Sequence, residues 1–411
     1  MNPTLTPAAA AGARLHAFDT LRAAALLAGL ALHGALSYLP GAERYWIVAD
    51  APSSALALLF YLVHCCRMPV FFLLAGFFAA AGVERLGSLA FARDRLRRIV
   101  LPLLMFWPLA MTGIVAVIVA AVALRNGGQL PAESPPGPRF TPDDFPLTHL
   151  WFLYVLALFY AAALLWRAWL ARLDSTDRVG AATRIVLDRL LHPGTAAALG
   201  LPLAWCLMRT PGWVVWFGVP TPDQSLYPNL AATIGFGLAF AVGWQLKRAS
   251  GTLLPRLARD WLKHLAAGGV ALAVCLYLAG PSPTLHTADA SPAWALYALA
   301  YAAAGWSLSL AAAGAALRYA NRYDARRRYV ADASYWIYLT HLPVLMALQV
   351  AASKLAWPWW IEYPLSLALC LALLLTSYAL FVRHGWLGAL LNGRRRPRGI
   401  GTGASAAAVT P

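Results

Sequence analysis

Apolar runs recur along the chain at about 17–39, 54–80, 99–124, 147–166, 193–209, 227–246, 264–280, 292–317, 331–351 and 361–382. A helix needs roughly 20 consecutive apolar residues to cross a hydrocarbon core about 30 Å thick, and these runs approach or exceed that length. The pattern predicts an all-α integral membrane protein, a polytopic bundle of about ten transmembrane helices. The fifth run is short and interrupted by Gly200 and Pro202, so roughly nine or eleven spans would also fit.

Orientation follows from the basic residues between the runs. With alternating spans, Arg14, Arg22, Arg85 and the stretches Arg93–Arg98, Arg167–Arg189, Lys247–Lys263 and Arg318–Arg328 fall on the side of the N-terminus, as do Arg383, Arg394, Arg395, Arg396 and Arg398. Opposite them lie only Arg44, Arg125, Arg139, Arg209 and Lys354, while Arg67 falls within a span. Basic loops stay in the cytoplasm, which predicts that both termini are cytoplasmic. The chain then divides into a cytoplasmic segment 1–16, a membrane domain 17–382 and a basic cytoplasmic tail 383–411, expected to be disordered at its end. The first run reads as an uncleaved anchor, because its length and its internal Asp19 and Arg22 are wrong for a signal peptide.

Composition agrees with this class: 60% of residues are hydrophobic, 12% are charged and 17 are Trp. The formal charge of +16 is spread over several loops and a tail with no single basic stripe, so no nucleic-acid partner is expected. Cys65, Cys66, Cys206, Cys275 and Cys370 fall inside spans without Cys-x-x-Cys spacing and read as packing residues. No metal site, glycine-rich phosphate loop or nucleophile-elbow serine is present in the sequence. Any chemistry must therefore use the polar residues embedded in the membrane.

Three of these share the first run. On a helix, the eleven steps from Arg22 to His33 turn about three full turns plus roughly 20°, and Asp19 lies one turn before Arg22, so all three occupy one face. Arg22 and His33 are then separated by about 16 Å along the axis. Ionisable groups at such depth are functional candidates. The structural alternative is a self-neutralised Asp–Arg pair near the headgroups and a packing histidine.

His64 and Arg67 stand one turn apart in the second run, where Arg67 has no adjacent acid and wants a partner or an anionic ligand. An interfacial arginine that snorkels is the plainer reading. Arg95 and Arg98, at i and i+3, would suit a phosphate clamp, although flanking arginines are also what topology requires. His149 and Trp151 enter the fourth run, and such a tryptophan is by itself an interfacial anchor. His341 lies inside the ninth and precedes Pro343, which frees a backbone carbonyl for a ligand or another side chain.

These strings resemble, in order, the membrane acyltransferase-3 family, particularly its glucan biosynthesis protein C branch. The similarity runs through Asp19-x-x-Arg22-x10-His33, His64-x-x-Arg67-Met68-x-Val70-Phe71-Phe72, Arg95-x-x-Arg98-Ile99-x-Leu101-Pro102, His149-Leu150-Trp151-Phe152-Leu153 and Ser334-x-x-Ile337-Tyr338-Leu339-x-His341. The chain departs from it at Ala75-Gly76-Phe77, where many members carry Ser-Gly-Phe, and residues 170–330 hold no recognisable motif.

The resemblance implies a multi-pass enzyme of the bacterial inner membrane. It would move an acyl group from a cytoplasmic acyl-CoA, succinyl-CoA or acetyl-CoA, to a hydroxyl of a periplasmic or cell-surface glycan, with an osmoregulated periplasmic glucan as the branch's acceptor. The implied partners are membrane lipids, the acyl-CoA, the glycan and glucan-synthesis proteins, with no permanently bound cofactor. On this basis Arg95 and Arg98 are expected to attract the donor's phosphates and Arg22, held by Asp19, to steer it inward. His33 is expected to act as general base or as an acyl relay. Arg67 would bind a donor carboxylate or the developing oxyanion, with His64, His149, Trp151 and His341 along the substrate path. A transporter or flippase is the alternative from another class. It would commonly show two related halves, and no second copy of Asp-x-x-Arg-x10-His occurs.

Overall fold

The computed structural model describes residues 7–130, 137, 139–174, 176–289 and 291–393. The tail arginines from Arg394 onward, and the expected disordered end, lie outside the described residues. The chain forms helices α1 (Pro7–Ala35), α2 (Ser54–Leu86), α3 (Ser88–Arg95), α4 (Leu101–Arg125), α5 (Trp151–Leu173), α6 (Arg178–Leu190) and α7 (Leu201–Met208). They are followed by α8 (Leu230–Arg248), α9 (Ser250–Ala279), α10 (Pro292–Tyr319), α11 (Ala325–Ala352), α12 (Trp359–Ser377) and α13 (Trp386–Asn392). A π-helical turn, Leu96–Val100, joins α3 to α4 as one continuous element. Local chemistry sets several starts: Ser53 caps α2, the Asn229 side chain accepts from Ala232 N at 2.7 Å, and Asp324 accepts from Arg327 N at 2.8 Å.

Nine helices among the described residues are long and apolar enough to cross a membrane, and they coincide with nine of the ten expected runs. The tenth, 193–209, forms a 3-10 turn Ala196–Gly200 followed by α7. At about 2.0 Å per 3-10 residue and 1.5 Å per α residue this element reaches roughly 22 Å, short of a ~30 Å core. Gly200 lies tight against Ala302 of α10, and Pro202 in the first turn of α7 has no N–H to extend a helix backward. One side of this element is buried, at Ala196, Leu199, Gly200, Leu203, Ala204 and Leu207, while Leu201 and Trp205 face outward.

The connecting segments gather at two ends. At one, Phe145 N donates to Gln224 O at 3.0 Å, Val214 bridges Thr287, the Arg125 guanidinium reaches Ile47 O, and Lys354 reaches Leu124 O. At the other, Arg328 pairs with Asp19 at 2.9 Å, Lys247 with Glu84, Arg256 with Asp188 at 2.8 Å and Arg248 with Asp177 at 2.8 Å. Hydrogen bonds from Arg248 and Arg184 hold the Asp177 carboxyl below the usual carboxylate range. Arg98 of this end lies against Gly393, so both described ends of the chain are found here.

The bundle centre depends on a close crossing of α2 and α8. A Cβ at Gly76 would overlap the Phe240 carbonyl, and one at Gly243 would overlap the Leu73 carbonyl. The two backbones thus touch through reciprocal glycines, the small-residue packing that holds helices together in lipid. This accounts for the glycine of Ala75-Gly76-Phe77. Gly76→Ala or Gly243→Ala must push backbone away and should destabilise by about 1–3 kcal/mol. Gly269→Ala, with open space around it, should be neutral or stabilising. Thermal unfolding of the detergent-solubilised protein checks this, and equal melting temperatures for all three variants would refute the close crossing.

Candidate functional site

Four helices converge on a cluster of ionisable rings. On α11, Tyr335, Tyr338 and His341 recur every third residue and form one stripe. Their rings follow one another at 6.5 and 6.4 Å between centroids. His341 faces His33 of α1 at 5.3 Å and His149, at the entrance to α5, at 5.1 Å. His64 and Arg67 of α2 are the other electrostatic neighbours of His33. Five of the sequence candidates therefore meet, although they are spread from residue 33 to 341.

Backbone chemistry orients two of the histidines. Pro343 has no N–H to bond the carbonyl four residues earlier, and that carbonyl, Leu339 O, lies 3.4 Å from His149 Nε2. The carbonyl expected to be free thus meets a histidine of another helix. His341 Nδ1 lies 2.9 Å from Tyr338 O. A carbonyl only accepts, so this contact puts the proton on Nδ1 and leaves a lone pair on Nε2. Thr148, just before His149, has φ of 52°. That left-handed conformation is costly for a β-branched residue and is held by Thr148 N donating to Asp223 O at 3.0 Å.

Arg67 enters the cluster by lying flat on α1, where Gly29 leaves room that any side chain would fill. Its electrostatic neighbours include Tyr338 and no carboxylate, and its Nε finds no hydrogen-bond partner among the described residues. His33 Nδ1 is likewise buried without a partner among them. Buried polar atoms are nearly always satisfied, so these two are available to a ligand's donor or acceptor. His64 stacks on Phe60 at 5.4 Å, and Phe60 stacks on Trp216 at 5.7 Å. Trp151 lies apart from the rings, packed against Phe236 and Phe72.

A second cluster occupies the basic end. Asp19 is shared by Arg22 at 3.2 Å and Arg328 at 2.9 Å, and Arg328 also reaches Asp332 at 3.2 Å. Arg22 Nη2 approaches Ala331 O at 3.5 Å. Since His33 meets His341 and Arg22 meets Ala331, the α1 face expected from helical arithmetic is the one turned toward α11. Arg95 and Arg98 do not form an open fork: Asp94 lies between them, 2.5 Å from Arg95 Nη2 and 2.9 Å from Arg98 Nε. The Arg95 guanidinium lies over Phe91 and Tyr160, and Tyr335 donates to Arg98 O at 2.6 Å. The α11 stripe of Tyr335, Tyr338 and His341 consequently runs from the arginine cluster to the histidine cluster.

Sequence reasoning missed Asp94, Tyr160, Arg328, Tyr335 and Tyr338. The three-residue spacing before His341 was the available signal for the tyrosines. Arg328 and Tyr160 carry no local signal, because their partners are remote in the chain.

No curated protein and no solved structure matches the chain. A family model described as an acyltransferase domain, Acyl_transf_3, matches residues 15–380, which include both clusters and every helix from α2 to α12. With most of its length matched, this multi-helix membrane chain belongs to the acyltransferase-3 family.

Proposed function

We propose that the protein is an O-acyltransferase of the bacterial inner membrane that moves a succinyl or acetyl group from cytoplasmic acyl-CoA to a hydroxyl of a periplasmic glycan, an osmoregulated glucan in the first instance. The observation that carries this reading is His33 facing His341 and Arg67 inside the bundle, with the basic cluster at the far end of the same α1 face. The basic end is the cytoplasmic one, by the preference of Lys and Arg for that side.

Arg22, Arg95, Arg98 and Arg328 attract the donor's phosphates. Each arginine is already paired with Asp19, Asp94 or Asp332, so a phosphate binds by exchanging with a carboxylate and not by filling an open fork. The donor's acyl arm then follows the tyrosine stripe inward. His33 takes the proton of the acceptor hydroxyl as that oxygen attacks the thioester carbonyl. Arg67 stabilises the tetrahedral oxyanion, as a preorganised cation in a low-dielectric site does most effectively. Collapse of the intermediate breaks the carbon–sulfur bond, and the leaving thiolate recovers the proton from His33. When the donor is succinyl-CoA, its distal carboxylate also lies within the field of Arg67, which favours succinyl over acetyl.

His33→Ala should lower acyl transfer by about 10²- to 10⁴-fold without changing abundance or melting temperature. Thiol release from the donor by the purified protein measures this, and retained activity would remove His33 from the chemistry. Arg67→Gln should slow transfer with both donors and narrow the succinyl-to-acetyl preference, read from the ratio of kcat/KM values. An unchanged ratio would leave Arg67 with the oxyanion alone.

A further inference from the structure

The link from α10 to α11 carries five arginines between Arg318 and Arg328 and a single acid, Asp324. Positive charge at this end is what topology requires, so the charge alone says nothing. Its arrangement does. Arg322, Tyr323 and Arg327 meet His16 and Thr20 of α1 across a cleft of about 220 Å³, which Asp324 and the Asp19–Arg328 ion pair complete. Both carboxylates of the cleft are already engaged. Asp19 holds Arg22 and Arg328, and Asp324 accepts from Arg327 N at 2.8 Å where α11 begins.

The side chains of Arg322 and Arg327 form no salt bridge among the described residues, so the cleft presents two guanidiniums without a counter-charge. A phosphate monoester, with a charge of about −1.5 to −2 near pH 7, matches two such cations better than a singly charged diester does. Beside them the rings of His16 and Tyr323 meet edge to face at 5.5 Å between centroids, and Tyr323 remains 66% exposed. An open aromatic ring next to a phosphate site suits a nucleobase, which stacks on it.

Position along α1 indicates what that nucleotide is attached to. His16 precedes Arg22 by six residues and His33 by seventeen, about 9 Å and 26 Å along the helix axis. The cleft, Arg22, the tyrosine stripe and His33 thus follow one another in the order in which an acyl-CoA carries its 3′-phosphorylated adenosine, its diphosphate, its pantetheine arm and its thioester. We infer that the cleft between α1 and the α10–α11 link binds the nucleotide end of the donor, with Arg322 and Arg327 on the 3′-phosphate and Tyr323 against the adenine. This rests on the acyl-transfer reading for the donor's identity and adds the part of the donor that is recognised and the residues that recognise it.

The test uses the full-length protein in nanodiscs of neutral lipid, titrated calorimetrically with CoA and with dephospho-CoA, which lacks only the 3′-phosphate. The wild type should bind CoA about 10-fold more tightly than dephospho-CoA. Arg322→Gln combined with Arg327→Gln should erase that preference, weakening CoA by about 10-fold and leaving dephospho-CoA unchanged. Tyr323→Leu should weaken both ligands by the same factor, about 5-fold or more. Equal wild-type affinities for the two ligands, no binding of CoA, or equal weakening of both in an arginine variant of unchanged melting temperature would overturn the assignment. Wild-type affinities in Tyr323→Leu would remove the adenine from the cleft. An arginine variant that keeps the preference for CoA but loses copurifying phosphatidic acid would give the cleft to a lipid headgroup and likewise overturn it. The expected preference in a protein that transfers no acyl group would uphold the cleft and refute the acyl-transfer reading instead.

Discussion

A guanidinium inside an apolar helical bundle must be solvated by whatever the protein supplies, because lipid and packed side chains offer nothing. At Arg67 the supply is a bare stretch of α1 backbone at Gly29, the Tyr338 ring and nearby histidines, with no carboxylate. Much of the surrounding structure follows from that requirement. Gly29 has to be glycine, the histidines have to be held by backbone carbonyls at Tyr338 and Leu339, and α11 carries a proline that frees one of those carbonyls. A buried cation left without an anion is weak as a stabilising device and useful as a preorganised place for negative charge that develops during a reaction.

The arginine cluster at the basic end obeys the opposite logic. There each guanidinium is paired, Asp19 with two of them and Asp94 with two others. Paired charges can sit near a membrane surface at little cost and can exchange one anion for another. The two clusters share the face between α1 and α11, and the tyrosine stripe connects them. A donor that is anionic at one end and electrophilic at the other fits such a division of labour.

Much of this was legible in the sequence, for identifiable reasons. Helical periodicity alone put Asp19, Arg22 and His33 on one face, and the missing N–H of Pro343 announced an available carbonyl. The run 193–209 carried its own warning in Gly200 and Pro202, yet hydropathy could not tell a short helix from a full span. The fork expected of Arg95 and Arg98 failed because Asp94, adjacent in the same string, competes for both. Arg328 stayed hidden because pairing with Asp19 joins segments 309 residues apart. The contact of Tyr38 with Glu362 depends on α12 packing beside the end of α1, which no local pattern encodes.

On the proposed function, one wall of the bundle joins a donor from the basic end to a hydroxyl from the other. Proteoliposomes with the protein in a single orientation test it most directly, with succinyl-CoA on one side, glucan on the other, and mass spectrometry of the glucan as readout. Succinylated glucan should form only when the donor is on the side of the basic end. Acylation with the two sides exchanged, or unmodified glucan in both arrangements, would contradict it.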